Sequence, residues 1–263
     1  MKILTPKEIT EAASNAGTAK ANLTSASPGK LMLSACLAGA YISLGGILSM
    51  TLGFGFPELT AGNPALQRLL SGVAFPIGLI LVVVLGAELF TGNNAVLIPS
   101  TAQRRHSPCL TLANWTLVYL GNLIGALAFT YFMVYLCGLT TADPWHSAAI
   151  KVAEAKVSMP WLTVFLKGIG ANWCVCLAVW LALSGKTLFE KALGCWLPVM
   201  AFVALGYEHC IANMFFIPLG MMEGADVTII QSITTNFIPS TLGNIVGGAL
   251  LVGATHTYLH LRK

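Results

Sequence analysis

Six apolar stretches dominate this chain, near Leu31–Leu52, Leu66–Ile98, Thr111–Leu139, Met159–Leu183, Leu193–Pro218 and Ile233–Tyr258. Each is at least as long as the roughly 20 residues an α-helix needs to cross the hydrocarbon of a bilayer. A helix satisfies its own backbone N–H and C=O groups, so it is the form such a segment takes where no water can reach. Composition agrees. Charged residues make up 9% of the 263 and hydrophobic residues 56%, whereas soluble domains carry about 25% charged residues. That balance excludes a soluble enzyme, a disordered chain and a nucleic-acid binder. The expected fold is an all-α polytopic membrane domain over 1–263, in contact with the lipid bilayer, with 1–30 as a cytoplasmic N-terminal segment.

Two of the six stretches are interrupted. The second contains Gly86-Ala87-Glu88-Leu89-Phe90-Thr91-Gly92-Asn93-Asn94, and the fifth contains Gly206-Tyr207-Glu208-His209-Cys210-Ile211-Ala212-Asn213. Each break holds a glutamate, which is costly inside a membrane unless it is paired. Non-helical backbone at that depth is tolerated only when protein buries it or it lines a cavity.

The interruptions belong to a repeat. Leu85-Gly86-Ala87-Glu88 matches Leu205-Gly206-Tyr207-Glu208, and Asn93 falls in register with Asn213. Leu120-Gly121-Asn122-Leu123-Ile124-Gly125 matches Leu242-Gly243-Asn244-Ile245-Val246-Gly247, at nearly the same distance beyond the break in both halves. Three helices per half make the second copy enter the membrane upside down. The expectation is six helices in an inverted 3+3 repeat, over 31–140 and 155–263, with the second and fifth interrupted. Paired broken helices of this kind point to a pathway at the bilayer midplane.

Basic residues set the orientation. With the N-terminus inside, Lys2, Lys7, Lys20, Lys30, Arg104, Arg105, Lys186, Lys191, Arg262 and Lys263 fall on the inner side, and only Lys151 and Lys156 in outer loops. This positive-inside bias places both termini in the cytoplasm. The segment Met1–Lys30 has no apolar core, so no cleavable signal is expected; Thr5–Asn22 reads as a short amphipathic helix beneath the pore. The seven cysteines read as apolar packing residues rather than a disulfide framework.

Half-helix N-termini inside a membrane favour anions, and the repeat brings Thr91 and His209 to the same depth. His209 is either a buried histidine satisfied by backbone or a pathway residue, and its place beside Glu208 in a paired break favours the second. Lys167, two turns into its span, either snorkels to the interface or draws anions to the outer mouth. Lys156 reads as an outer loop lysine that also draws anions. Asn172 either lines the pore or joins helices. Glu88 and Glu208 are expected to organise the breaks by accepting backbone N–H bonds, with Asn93 and Asn213 beside them, and the LGN glycines to allow close helix packing. Walker A, HExxH, GxSxG and CxxC motifs are missing, so neither an enzyme, a metal site nor a cofactor is expected. His256 and His260 form an i, i+4 pair read as incidental.

These residues together resemble the formate/nitrite transporter family, over about Leu31 to Tyr258. The resemblance rests on Gly86-Ala87-Glu88-Leu89-Phe90-Thr91-Gly92-Asn93, Lys167-Gly168 with Asn172-Trp173, Gly206-Tyr207-Glu208-His209 with Ile211-Ala212-Asn213-Met214, and both LGN motifs. It implies an aquaporin-like protomer, a homopentamer in a bacterial inner membrane, and one pore per protomer. It also places apolar constrictions at Phe75, Leu79, Leu89 and Phe202, with Val175 nearby, and lysines at 156 and 167 near the outer vestibule. Ser184-Gly185-Lys186-Thr187-Leu188, Leu197-Pro198-Val199 and Asn213-Met214-Phe215-Phe216-Ile217-Pro218 resemble the family's bacterial formate-channel branch, whereas Lys167 resembles nitrite-type members. The implied substrates are formate first, with nitrite or hydrosulfide as alternatives, moved together with protons past His209. A neutral-solute pore and a membrane-embedded enzyme are the rival classes.

Overall fold

The structure is a computed structural model that describes residues 3–261. Lys2, Arg262 and Lys263, used above for the charge bias, lie outside the described residues. Regular structure among the described residues is entirely helical. Ten helices organise it: α1 (Pro6–Ala26), α2 (Pro28–Phe54), α3 (Pro64–Leu85), α4 (Phe90–Ala102), α5 (Pro108–Tyr135), α6 (Trp145–Ser158), α7 (Trp161–Ser184), α8 (Leu188–Ala204), α9 (Cys210–Met222) and α10 (Ile229–Leu261). A short turn, Pro57–Thr60, lies between α2 and α3.

Local chemistry explains where these helices begin. Prolines 6, 28, 64 and 108 each stand at the first helical turn, where a missing N–H costs nothing and φ is already helical. Thr5 with Glu8, and Thr187 with Glu190, form capping boxes that satisfy the first N–H groups of α1 and α8.

Helices α2, α3, α5, α7 and α10 are long and apolar enough to cross a membrane. The apolar stretch near Leu193–Pro218 is delivered instead as α8 and α9, of 17 and 13 residues. Large apolar side chains cover the outward faces: Leu33, Leu37, Leu44 and Leu48 on α2, and Leu162, Leu166 and Trp173 on α7, are all exposed. Water would penalise such faces and hydrocarbon does not.

The spanning helices touch through glycine. A Cβ on Gly39 or Gly125 would run into the carbonyls of Asn122 and Cys36, so α2 and α5 meet backbone to backbone. Gly243 and Gly247 bring α10 equally close to Phe165 and Ile169 of α7. Small residues at helix interfaces allow this approach in a membrane protein, as the LGN motifs suggest.

Two segments differ from expectation. The expected Thr5–Asn22 helix is present as α1, which runs on to Ala26 and packs closely against the rest of the chain. Its small-residue stripe, Thr10, Ala13, Ser14, Gly17, Ala21 and Thr24, is buried, and Gly17 packs on the backbone of Val96 in α4. Ser14 also donates to Gln103 at 2.8 Å. The segment carrying Lys156, expected as an outer loop, is instead helical up to Ser158 in α6. That change redirects the side chain of Lys156.

Candidate functional site

The polypeptide reverses character twice in the same way. Helix α3 ends at Leu85 with Gly86 in the left-handed region at φ +75°, and α8 is followed by Gly206 at φ +70°. Only glycine adopts that conformation without penalty. The next N–H closes a wide turn in each case, Ala87 to Val82 O at 2.9 Å and Tyr207 to Phe202 O at 3.1 Å. Four residues separate the end of α3 from the helical restart at Phe90, and five separate the end of α8 from the restart at Cys210.

An asparagine from a distant helix stitches each break. Asn122 Oδ1 accepts the Phe90 N–H at 2.9 Å, while its Nδ2 donates to Ala35 O at 2.8 Å and Glu88 O at 2.9 Å. Asn244 Oδ1 accepts the Cys210 N–H at 2.9 Å, and its Nδ2 donates to Gly168 O at 2.8 Å and Glu208 O at 3.0 Å. These are the asparagines of the two LGN motifs. Backbone groups freed by an interrupted helix otherwise cost about 1–3 kcal/mol each when buried.

Glu88 and Glu208 act differently from expectation. Their carboxylates accept from side chains, not from backbone N–H groups. Glu88 takes Lys20 Nζ at 2.8 Å and Asn93 Nδ2 at 2.7 Å, and Asn93 also donates to Asn114 at 2.9 Å. Glu208 takes Lys156 Nζ on both oxygens at 3.0 Å, Asn213 Nδ2 at 2.8 Å and Asn236 Nδ2 at 3.2 Å. Asn213 donates in turn to Asn236 at 2.7 Å. A buried charge is tolerated only with this kind of pairing and hydrogen bonding. Lys156 also lies over the ring of Phe216, 5.4 Å from its centroid, a cation–π contact. It is therefore the counter-ion of Glu208 and not a free loop lysine.

The two breaks meet at one hydrogen bond. Thr91 Oγ1 and His209 Nε2 are 2.9 Å apart, and both residues are buried. His209 is also the N-cap of α9, its Nδ1 accepting the Ala212 N–H at 3.0 Å. A ring nitrogen that accepts carries the lone pair, so the neutral imidazole holds its hydrogen on Nε2 and donates it to Thr91. The starts of α4 and α9 thus converge, and their partial positive charges face one region.

Asn172 resolves towards joining helices. It is fully buried and donates to Thr91 O at 3.1 Å, Asn94 Oδ1 at 3.3 Å and Asn244 O at 2.6 Å. Phe75, Leu79, Leu89, Val175 and Phe202 are all buried in one apolar cluster. Phe202 stacks on the His209 ring at 5.8 Å and meets Phe75 edge-on at 5.8 Å. Leu79 and Leu89 line a cavity of about 150 Å³ that also reaches Lys20, Gly92 and Asn93. Lys167 is half-buried; its carbonyl accepts the Glu208 N–H at 3.3 Å, and its Nζ approaches Met159 Sδ at 3.5 Å.

Sequence reading missed Lys20, Asn114 and Asn236. The last two were legible: Asn114 precedes Asn122 by the same eight positions as Asn236 precedes Asn244. Lys20 carried no such signal, since it reaches Glu88 across 68 positions from outside the repeat. Among the described residues, no group of three or more His, Cys, Asp or Glu is placed to hold a metal ion.

Known proteins resemble this chain in sequence and in fold. A "Probable formate transporter" of Methanothermobacter thermautotrophicus is 42% identical over 250 residues, covering 89% of this chain and 90% of that protein. "Formate channel FocA" of Escherichia coli (strain K12) is 37% identical over 281 aligned positions, covering 99% and 96%. Among solved structures, an "FNT family ion channel" superposes with a TM-score of 0.87 at 31% identity over 95% of this chain and 98% of that one. A "Pentameric formate channel with formate bound" superposes at 0.77 and 32% identity, over 89% and 98%. Residues 7–258 match the model of the formate/nitrite transporter family. With apolar spanning helices on the outside and paired helix breaks within, the chain is a multi-pass membrane protein that belongs to the formate/nitrite transporter family.

Proposed function

We propose that this protein passes small monovalent weak-acid anions through its own protomer, with formate first and nitrite or hydrosulfide as the alternatives. The observation that carries this reading is the Thr91–His209 hydrogen bond, which joins the N-termini of two half-helices amid buried apolar side chains. Halves 31–140 and 155–263 act as an inverted 3+3 repeat of six spanning elements, with both termini cytoplasmic in a bacterial inner membrane. The working assembly is a homopentamer, by analogy with the pentameric relative.

Energetics select the species that crosses. Stripping a carboxylate of water costs tens of kcal/mol on a Born estimate. Protonating an acid of pKa about 3.5 at pH 7 costs about 5 kcal/mol. The neutral acid therefore crosses the constrictions formed by Phe75, Phe202, Leu79 and Leu89, with Val175 nearby, and its proton travels with it. His209 serves as a hydrogen-bond donor through Nε2 rather than as the proton source: losing that hydrogen while Nδ1 accepts from Ala212 would leave an imidazolate. Thr91 completes the polar site, Asn172 fixes the Thr91 backbone, and Glu88, Asn93, Glu208 and Asn213 hold the two breaks in place. Lys156 is neutralised by Glu208, so of the two expected vestibule lysines Lys167 is the one that raises the local anion concentration.

Uptake into proteoliposomes of purified protein tests this, comparing formate, nitrite and hydrosulfide with and without an inward proton gradient. Formate flux that rises with the gradient supports neutral-acid passage. Flux indifferent to protons favours an anion channel and overturns neutral-acid passage. Absence of flux for every weak acid overturns the transport reading.

A further inference from the structure

A groove of about 760 Å³ runs between α5, α9 and α10, walled by Leu123 and Leu127, by Met214, Met221 and Met222, and by Ile233 and Leu242. Ligand pockets of this size are common, and they are mostly apolar with a few placed polar groups. Here the polar lining side chains are Tyr119, Ser232 and Thr241, and their hydroxyls are already engaged. Tyr119 and Thr241 share a hydrogen bond of 3.1 Å, and Ser232 donates to Thr228 O at 2.9 Å.

The groove has the depth of one leaflet. From Ile229 to Leu242, α10 advances about 20 Å at the helical rise, against about 15 Å for half the hydrocarbon core of a bilayer. Four residues beyond Leu127 on α5, Tyr131 is exposed and stacks on exposed Tyr135 at 6.1 Å. Amphipathic rings of this kind collect at the headgroup level. At the deep end, Tyr119 meets the Phe90 ring edge-on at 5.0 Å, and Thr241 meets the Cys210 side chain. Phe90 and Cys210 are the residues at which the two half-helices restart.

The repeat sets this wall apart. In register, Met214, Met221 and Ile233 stand where the first half has Asn94, Thr101 and Thr111. There the helices are closed by hydrogen bonds, Thr101 with Thr111 at 2.8 Å and Asn172 donating to Asn94 Oδ1 at 3.3 Å. Methionine is unbranched and polarizable, and adapts to a flexible apolar ligand.

We propose that this groove binds one acyl chain of a membrane phospholipid, with the headgroup beside Tyr131 and the chain end against Tyr119 and Thr241. Water there would face apolar walls and hydroxyls already bonded, and an empty groove would forfeit dispersion contacts along its whole length. Hydrocarbon is what a bilayer supplies at that depth. Through Tyr119 and Thr241 the chain braces both helix breaks. The proposal needs the membrane-spanning fold alone and does not depend on which solute passes.

The test is photolabelling in phosphatidylcholine vesicles that contain phosphatidylcholine with a diazirine on its acyl chain, mapped by peptide mass spectrometry. Label should concentrate on 119–127 and 229–242 over the exposed leucines of α2. Ile233→Trp, which fills the groove, should lose that label and keep the label on α2. The thermal midpoint of detergent-purified wild type should rise when phosphatidylcholine is added, and that of Ile233→Trp should not. Leu127→Phe serves if Ile233→Trp does not assemble. Label spread evenly over α2, α5 and α10 overturns the proposal, because it describes ordinary surrounding lipid. A groove that stays unlabelled while α2 labels also overturns it and gives the groove to a neighbouring subunit. An equal rise in midpoint for wild type and the filled variant overturns it as well.

Discussion

The two helix breaks share a scaffold and divide the chemistry. Both use a left-handed glycine, an LGN asparagine, a buried glutamate, a second asparagine pair and a lysine from the helix just before α2 or α7. In register, however, Leu89 stands opposite His209, and Thr91 opposite Ile211. Each break supplies one apolar and one polar side chain, and the polar ones occupy different positions. The result is a donor–acceptor bond from one break to the other, between Thr91 and His209. The cages differ too: Lys156 reaches both oxygens of Glu208, which also accepts from Asn236, whereas Lys20 reaches one oxygen of Glu88 and is more exposed, 21% against 15%. The two breaks share a frame, and the side chains that differ within it make the frame directional.

Removing the carboxylates probes this difference most strongly. Glu208→Ala should cost about 3–5 kcal/mol by leaving Lys156 buried without its partner, and Glu88→Ala should cost less. Thermal unfolding in detergent measures both, and equal losses would erase the proposed inequality of the cages. The double variant Lys156→Met/Glu208→Gln should recover much of the loss, because it removes both charges together.

The shared frame predicts similarity at the next level. Asn122→Ala and Asn244→Ala each remove three buried hydrogen bonds, and each should destabilise by about 2–4 kcal/mol. The same unfolding assay decides. A tolerated change at one site would mean that break keeps its geometry by other means.

The cap on α9 has no counterpart on α4, whose N-cap Leu89 makes no side-chain bond. His209→Leu should cost about 1 kcal/mol for the lost cap. His209→Asn can still cap but cannot reach Thr91 in the same way, so stability should return while formate flux stays low. Recovery of flux with Asn would reduce the imidazole to a cap. The smallest effect belongs to Thr91→Val, about 0.5–1.5 kcal/mol for one neutral hydrogen bond, accompanied by reduced flux in the proteoliposome assay.

Much of this was legible in advance. Hydropathy located the spans, and the LGAE/LGYE register located both breaks and put Thr91 at the depth of His209. The LGN glycines were read as contact points and serve so, yet the asparagine between them, which caps each break, was passed over. Glu88 and Glu208 were assigned to the breaks with the wrong partners. Lys156 was misplaced because the segment around it looks polar and loop-like, although its apolar residues Ala148, Ala149, Ala153 and Val157 are buried as one helix face.

The amino-acid sequence by itself determined that this is a membrane protein with two paired interruptions, because hydrocarbon acts on each segment separately and glycine sets the turn locally. The tertiary structure decided which charged groups are paired and which nitrogen of His209 carries the hydrogen. Those outcomes depend on contacts of about 3 Å between residues as far as 118 positions apart. At low dielectric, whether a partner stands within that distance settles the state of a polar group, and spacing along a chain does not specify it.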